Sequence, residues 1–210
     1  MTTLLIATRN THKVQEIRAI LGNGFDYVSL QDFPAAPAVV EDADTFAGNA
    51  AKKAVELAAW LAPQLSTPLF VLADDSGLEV DALNGAPGVY SARFAALDAT
   101  VDGNSPDADN NAKLLRLLQN VPREKRTARF RCVIALVTAA PHAASPAPHY
   151  FDGTCEGRIE FTPRGQGGFG YDPLFVPDGF QAAFAALGED TKNKLSHRAK
   201  ALAQLRAWLE

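Results

Sequence analysis

The fold class that the sequence predicts is α/β, with a mixed β-sheet flanked by helices. Three observations predict it. Apolar runs of strand length alternate with stretches of helical periodicity. The middle strands follow one another across short turn-rich segments, which suits hairpins better than the helical crossovers of a doubly wound parallel sheet. No stretch is long enough to act as a linker, so residues 1–210 read as a single domain.

The elements follow in order. TLLIA (3–7) is a short buried strand. Asn10 or Thr11 caps a helix carrying Val14, Ile17 and Leu21, and Gly22 closes it. A Pro/Ala-rich connection (34–38) leads to Glu41, Asp42 and Asp44. A second helix starts near Thr45, with Phe46, Ala50, Ala54, Leu57 and Leu61 as its apolar stripe and Pro63 just beyond. Thr45, Asn49 and Lys53 share a polar stripe on it. LFVLA (69–73) reads as a buried strand that ends in two carboxylates, and DDSGLEVDALNGAPGVYSARFA (74–95) as turn-rich. Residues 98–111 read as a polar loop entering a helix with Leu114, Leu115, Leu117 and Leu118. RTARFRCVIALVTA (126–139) is a long strand, with Phe130, Cys132, Ile134 and Leu136 alternating onto one face. Residues 140–149 form a surface connection, and 150–161 one or two strands. RGQGGFGYDPLF (164–175) is a glycine-rich loop running into a strand. KLSHRAKALAQLRAWL (194–209) is an amphipathic helix.

Composition narrows the function. A net charge of −4 gives no electrostatic footprint for nucleic acid. Cys132 and Cys155 lack zinc spacing and are too few for a disulfide framework, and Cys132 reads as a core residue. The N-terminus does not read as a signal peptide, and no apolar run approaches the roughly 20 residues that span a membrane. The expected setting is cytoplasmic and reducing.

Four groups of residues carry chemistry. Thr8, Arg9, Asn10, Thr11, His12 and Lys13 lie where a strand meets a helix N-terminus, whose N–H groups and partial positive charge suit phosphate. The stretch lacks the GxxxxGK[ST] spacing, and by itself it better suits a capped helix with an exposed lysine. Glu41, Asp74 and Asp75 are hard oxygen ligands suited to magnesium, although an acidic turn would also account for them. GQGGFGYD (165–172) offers backbone N–H groups, a ring at Phe169 and a carboxylate at Asp172. SHR (196–198) offers a hydroxyl, an imidazole and a guanidinium. Each is weak alone. Together, a phosphate cradle, magnesium ligands and a base-holding set describe a nucleoside triphosphate site.

At this point the chain resembles the Ham1-like inosine/xanthosine triphosphate pyrophosphatases, which act on non-canonical purine nucleotides. The resemblance rests on five blocks in order: ATRNTHK, TFAGNAAKKA, ADDSGLEVDALNGAPGVYSARFA, GFGYDPLF and KNKLSHRAKAL. It implies two α/β lobes around a long mixed sheet, an active site in the cleft between them, and a homodimer. It implies magnesium-dependent hydrolysis of ITP, dITP or XTP to the monophosphate and pyrophosphate. By position, Thr8 to Lys13 contact the triphosphate and Lys53 reaches the phosphates. Glu41 and Asp75 bind magnesium, Asp75 is the proton acceptor, and Asp74 supports the site. Ser76 contacts substrate. Phe169, Gly170, Tyr171 and Asp172 form the base pocket, and Lys192, His197 and Arg198 complete it. One departure is visible in FAAL (184–187), where Ala186 replaces a carboxylate of the family pattern. Two alternatives stand beside this reading: a Maf-like nucleotide pyrophosphatase and a non-catalytic nucleotide-binding module.

Overall fold

The structure, a computed structural model, describes residues 2–98, 103–141 and 147–210. Six strands form one sheet: β1 (Thr2–Ile6), β2 (Phe25–Ser29), β3 (Leu69–Val80), β4 (Thr127–Ala139), β5 (His149–Ile159) and β6 (Phe175–Pro177). Their order is β2-β1-β3-β4-β5-β6. β1 runs parallel to β2 and β3, whereas β5 and β6 are antiparallel, so the sheet is mixed as expected. The helices are α1 (Thr11–Leu21), α2 (Phe46–Leu61), α3 (Asp107–Leu117), α4 (Phe184–Leu187), α5 (Glu189–Leu195) and α6 (His197–Leu209).

The chain divides into two compact units. The first comprises Met1–Asp75, Cys132–Gly153 and Arg198–Glu210, and the second Ser76–Arg131 and Thr154–His197. In the first, successive strand residues face opposite sides, and helices cover both. Leu5, Val71, Ala73, Ala135 and Val137 pack with the α2 stripe of Ala50, Ala54, Leu57 and Leu61. Leu4, Ile6, Leu72, Ile134 and Leu136 pack with Val14, Ile17 and Leu21 of α1 and with Leu202 and Leu205 of α6. Each buried leucine here contributes about 1.5–3 kcal/mol. In the second unit Leu78, Val80, Leu114, Leu118, Phe130, Ile159, Tyr171, Phe175 and Phe184 form the core. The rings of Phe130 and Phe175 stand 4.7 Å apart.

Three expectations change. LFVLA does not end at Ala73. β3 continues through both carboxylates to Val80, and the turns begin at Asp81. Leu78 and Val80 are fully buried, so the apolar pattern resumes after the polar interruption. β2 was not expected, because FDYVS is short, mixed in polarity and largely half-exposed at the sheet edge. The C-terminal helix is two helices, since Ser196 takes an extended ψ of 160° between α5 and α6. Of the one or two strands expected over 150–161, the structure forms one, His149–Ile159. Parts of the expected loop (99–102) and surface connection (142–146) lie outside the described residues. Among the described residues no helix is long and apolar enough to cross a membrane.

Candidate active site

The first unit holds the expected phosphate and metal residues. β1 passes into α1 through Thr8–Asn10. Asn10 is the N-cap, its side chain accepting from the Lys13 N–H at 3.2 Å, while Thr8 Oγ1 accepts from the Asn10 N–H. Arg9 donates to the Ala36 carbonyl at 2.9 Å, fixing the connection that follows β2. Arg9, Asn10, Thr11 and His12 are exposed. The Lys13 ammonium reaches Asp74.

Asp74 and Asp75 sit mid-strand and face opposite sides, as neighbours on a strand must. Asp74 lies on the α1/α6 side. It accepts from Lys13, from Arg198 Nε at 3.0 Å and from the Cys132 thiol at 3.0 Å. Arg198 is almost fully buried and also pairs with Glu16 of α1. Burial alone would raise the Asp74 carboxyl, but Arg198 and Lys13 hold it well below the usual carboxylate range. Burial would lower Arg198, yet Asp74 and Glu16 hold it above its ordinary value.

Asp75 lies on the α2 side. It accepts from Lys53 at 3.3 Å and from Asn49 Nδ2 at 3.3 Å. Lys53 also donates to the Asp74 carbonyl at 2.9 Å and pairs with Glu41 at 3.1 Å. Asn49 Oδ1 accepts from the Ala43 N–H at 2.9 Å and so ties the Glu41 segment to α2. Burial pushes the Asp75 carboxyl up to about 6, against the pull of Lys53 and Lys13 and with Glu41 and Asp74 adding to the rise. For Glu41 burial is outweighed by Lys53 and the carboxyl is lowered. Lys53 is buried yet raised, because three carboxylates surround it. The ammonium therefore stays charged beside its two ion-pair partners, Glu41 and Asp75, of which Asp75 is the weaker acid. Ser76, half-buried, follows on β3.

The second unit holds the expected base-pocket residues except Arg198, which belongs to the first. Asp172 is buried and accepts from Lys192 at 2.6 Å and from the Phe169 N–H at 2.9 Å. Gly168 has φ +73°, and a Cβ there would collide with the Asp172 carboxylate, so only glycine allows this approach. The Lys192 ammonium lies 4.7 Å from the Phe169 ring centroid. Tyr171 is a core side chain whose hydroxyl donates to the Ser91 carbonyl at 2.9 Å. His197 stacks on Phe130 at 4.8 Å. At the Ala186 departure, backbone bonds hold the loop instead: Gly167 N–H donates to the Ala185 carbonyl at 3.1 Å, and Ala185 N–H to that of Asp172.

Sequence reasoning missed Glu16, Asp107 and Asn111, and gave Asn49 and Cys132 no place at the site. The signal for Glu16 was its spacing three residues after Lys13, which sets both on one side of α1. A thiol donor to Asp74 left no signal in a run of apolar residues.

The sequence profile of the Ham1 family matches residues 4–208. The chain belongs to the Ham1 family. The dITP/XTP pyrophosphatase of Desulforamulus reducens is 50% identical over 200 residues, covering 95% of this chain and 91% of that protein. The dITP/XTP pyrophosphatase of Geobacter sulfurreducens is 50% identical over 207 residues, covering 98% and 96%. Among solved structures, a HAM1 protein from Coxiella burnetii superposes with a TM-score of 0.80 at 38% identity, covering 100% of this chain and 98% of that one. The Ham1 fold thus extends over the whole chain, and both groups of polar residues lie within the matched span.

Proposed function

We propose that the chain is a dITP/XTP pyrophosphatase, hydrolysing ITP, dITP and XTP to the nucleoside monophosphate and pyrophosphate. The observation that carries this is Asp75: a buried carboxyl raised to about 6 between Glu41 and Lys53, in a chain half identical to dITP/XTP pyrophosphatases over nearly its full length. A carboxyl poised near neutral is suited to take a proton at working pH.

The donor set fits magnesium. Among the described residues no group of three or more His, Cys, Asp or Glu could hold a metal by itself. Glu41 and Asp75, which both pair with Lys53, would supply hard oxygens from two carboxylates, a number that magnesium takes when phosphate oxygens complete its shell. When bound, magnesium would neutralise the triphosphate and the departing pyrophosphate. The protein's part is as follows. The α1 N-terminus and Lys13 draw the phosphates in. Lys53 keeps Asp75 and Glu41 in place. Asp75 orients water in line with the α-phosphorus and takes its proton as the bond to the bridging oxygen breaks. Ser76 contacts the substrate. Phe169 stacks on the base, with Gly170, Asp172 and Lys192 around it. His197 and Arg198 donate to the 6-oxo oxygen, whereas the 6-amino group of adenine meets donors with a donor. The rest of the proposal is one domain of two lobes with nucleotide in the cleft, a homodimer, and a cytoplasmic setting consistent with two cysteines that are not joined in a disulfide.

The experiment is pyrophosphate release from inosine and adenosine triphosphates, each with magnesium and with chelator. Fast, magnesium-dependent release from inosine triphosphate alone is expected. Tight binding without turnover would favour the binding module, and release from pyrimidine triphosphates instead would favour the Maf-like reading.

A further inference from the structure

One glycine in the base loop is gripped from both sides by a single helix. The Gly170 N–H donates to Asp107 Oδ2 at 2.6 Å, and the Gly170 carbonyl accepts from Asn111 Nδ2 at 2.9 Å. Asp107 and Asn111 are four residues apart, so they project from one face of α3. Gly170 has φ +62°, and a Cβ there would meet nothing within 4 Å. The glycine is therefore demanded by conformation and not by crowding, and the two bonds hold the residue next to Phe169 in that left-handed state.

Asn111 is an odd choice for stability. It is buried, and its Oδ1 is a buried acceptor with no partner among the described residues. Turning the amide over would set that oxygen against the Gly170 carbonyl, so the present orientation is required by its one bond. The next residues on α3, Leu114 and Leu115, pack in the core. An apolar side chain at 111 would remove the unpartnered Oδ1 and leave the half-buried Gly170 carbonyl to solvent. What it would lose is the hold on Gly170.

We propose that Asp107 and Asn111 are positioning residues that fix the Phe169 ring for the purine base. The proposal rests on the base-stacking role given to Phe169 above. Both residues act on the base loop, so their effect belongs in substrate binding and not in the chemical step.

The test is Asn111→Leu, assayed on inosine triphosphate with magnesium, with thermal unfolding and amide hydrogen exchange of residues 168–172 measured in parallel. KM rises about threefold to tenfold, the worth of one hydrogen bond. The kcat stays within about twofold, the unfolding temperature is unchanged or higher, and the loop amides exchange faster. Asp107→Asn, which keeps an acceptor for the Gly170 N–H, stays close to wild type in KM, whereas Asp107→Ala follows Asn111→Leu. Unchanged loop exchange in Asn111→Leu overturns the proposal whether or not the enzyme turns over. A KM rise accompanied by a lower unfolding temperature shows a merely structural role and also overturns it. Faster loop exchange with an unchanged KM overturns the link to the base. If the wild-type protein releases no pyrophosphate from any 6-oxo purine triphosphate, the functional reading fails by itself, and loop exchange still decides whether α3 positions the loop.

Discussion

Asp75→Asn is expected to abolish pyrophosphate release while making the metal-free protein more stable. In the unfolded chain this carboxyl loses its proton near its ordinary 3.8, and in the folded protein near about 6. Between those values the native state binds more protons than the unfolded one, so stability falls as pH rises, and the loss is complete above about 6. At about 1.4 kcal/mol per pKa unit, the gap corresponds to about 3 kcal/mol. Asparagine carries no charge at any pH and removes that cost. Lys53 keeps Glu41 and the Asp74 carbonyl as partners. For a chain of this size the gain converts to about 6–12 °C in unfolding temperature. Thermal unfolding followed by circular dichroism, with chelator present, from pH 4 to pH 8, checks it. The variant should match wild type near pH 4 and exceed it at pH 7.5. The neighbouring Asp74→Asn should do the reverse at neutral pH, because it strips Arg198 and Lys13 of their buried counter-charge; breaking such a pair costs about 3–5 kcal/mol. A lower unfolding temperature for Asp75→Asn at pH 7.5, or a difference that does not vary with pH, would refute the reasoning.

Two further outcomes follow from other contacts. Lys53→Met removes the cation that lowers both Asp75 and Glu41, so the acidic limb of the pH–rate profile should move to higher pH and activity at pH 7 should fall by about tenfold or more; an unmoved limb in initial-rate measurements counts against Lys53 as their partner. Arg126→Met strips hydrogen bonds from the carbonyls of Leu118, Val121 and Glu160, at 2.6, 3.0 and 3.1 Å, and should lower stability by about 3 kcal/mol, read as the shift in denaturation midpoint.

Much of the fold was readable because local and global signals agree. Asn10 and Thr45 cap the helices that their positions predicted, and the α2 stripe of Ala50, Ala54, Leu57 and Leu61 meets the sheet as its spacing required. What escaped depended on contacts distant in sequence. β2 is held by its parallel pairing with β1, not by its own apolar content. The break at Ser196 divides a run whose residues are all compatible with one helix. The candidate site was readable as residue types, but not as partnerships. Arg198 and Asp74 are 124 positions apart, and Asn111 and Gly170 are 59 apart. No local pattern announces either pair.

The two adjacent carboxylates show why partnership decides chemistry. In LFVLADDSG nothing distinguishes Asp74 from Asp75, and the pair looked like the end of a strand. Because the strand continues, the two are sent to opposite faces. Asp74 arrives where Lys13, Arg198 and Cys132 all donate to it, and its negative charge is stabilised beyond use as a base. Asp75 arrives under α2, where burial and Glu41 work against ionisation, and Lys53 and Lys13 oppose them. Environments that drive neighbouring acids apart in this way separate a structural anion from a proton acceptor. A one-residue slip of β3 would exchange their faces, giving the buried cations to the wrong acid. The catalytic role proposed for Asp75 therefore rests on strand register, which is held by the apolar residues on either side: Leu72 and Ala73 before the pair, and Leu78 and Val80 after it.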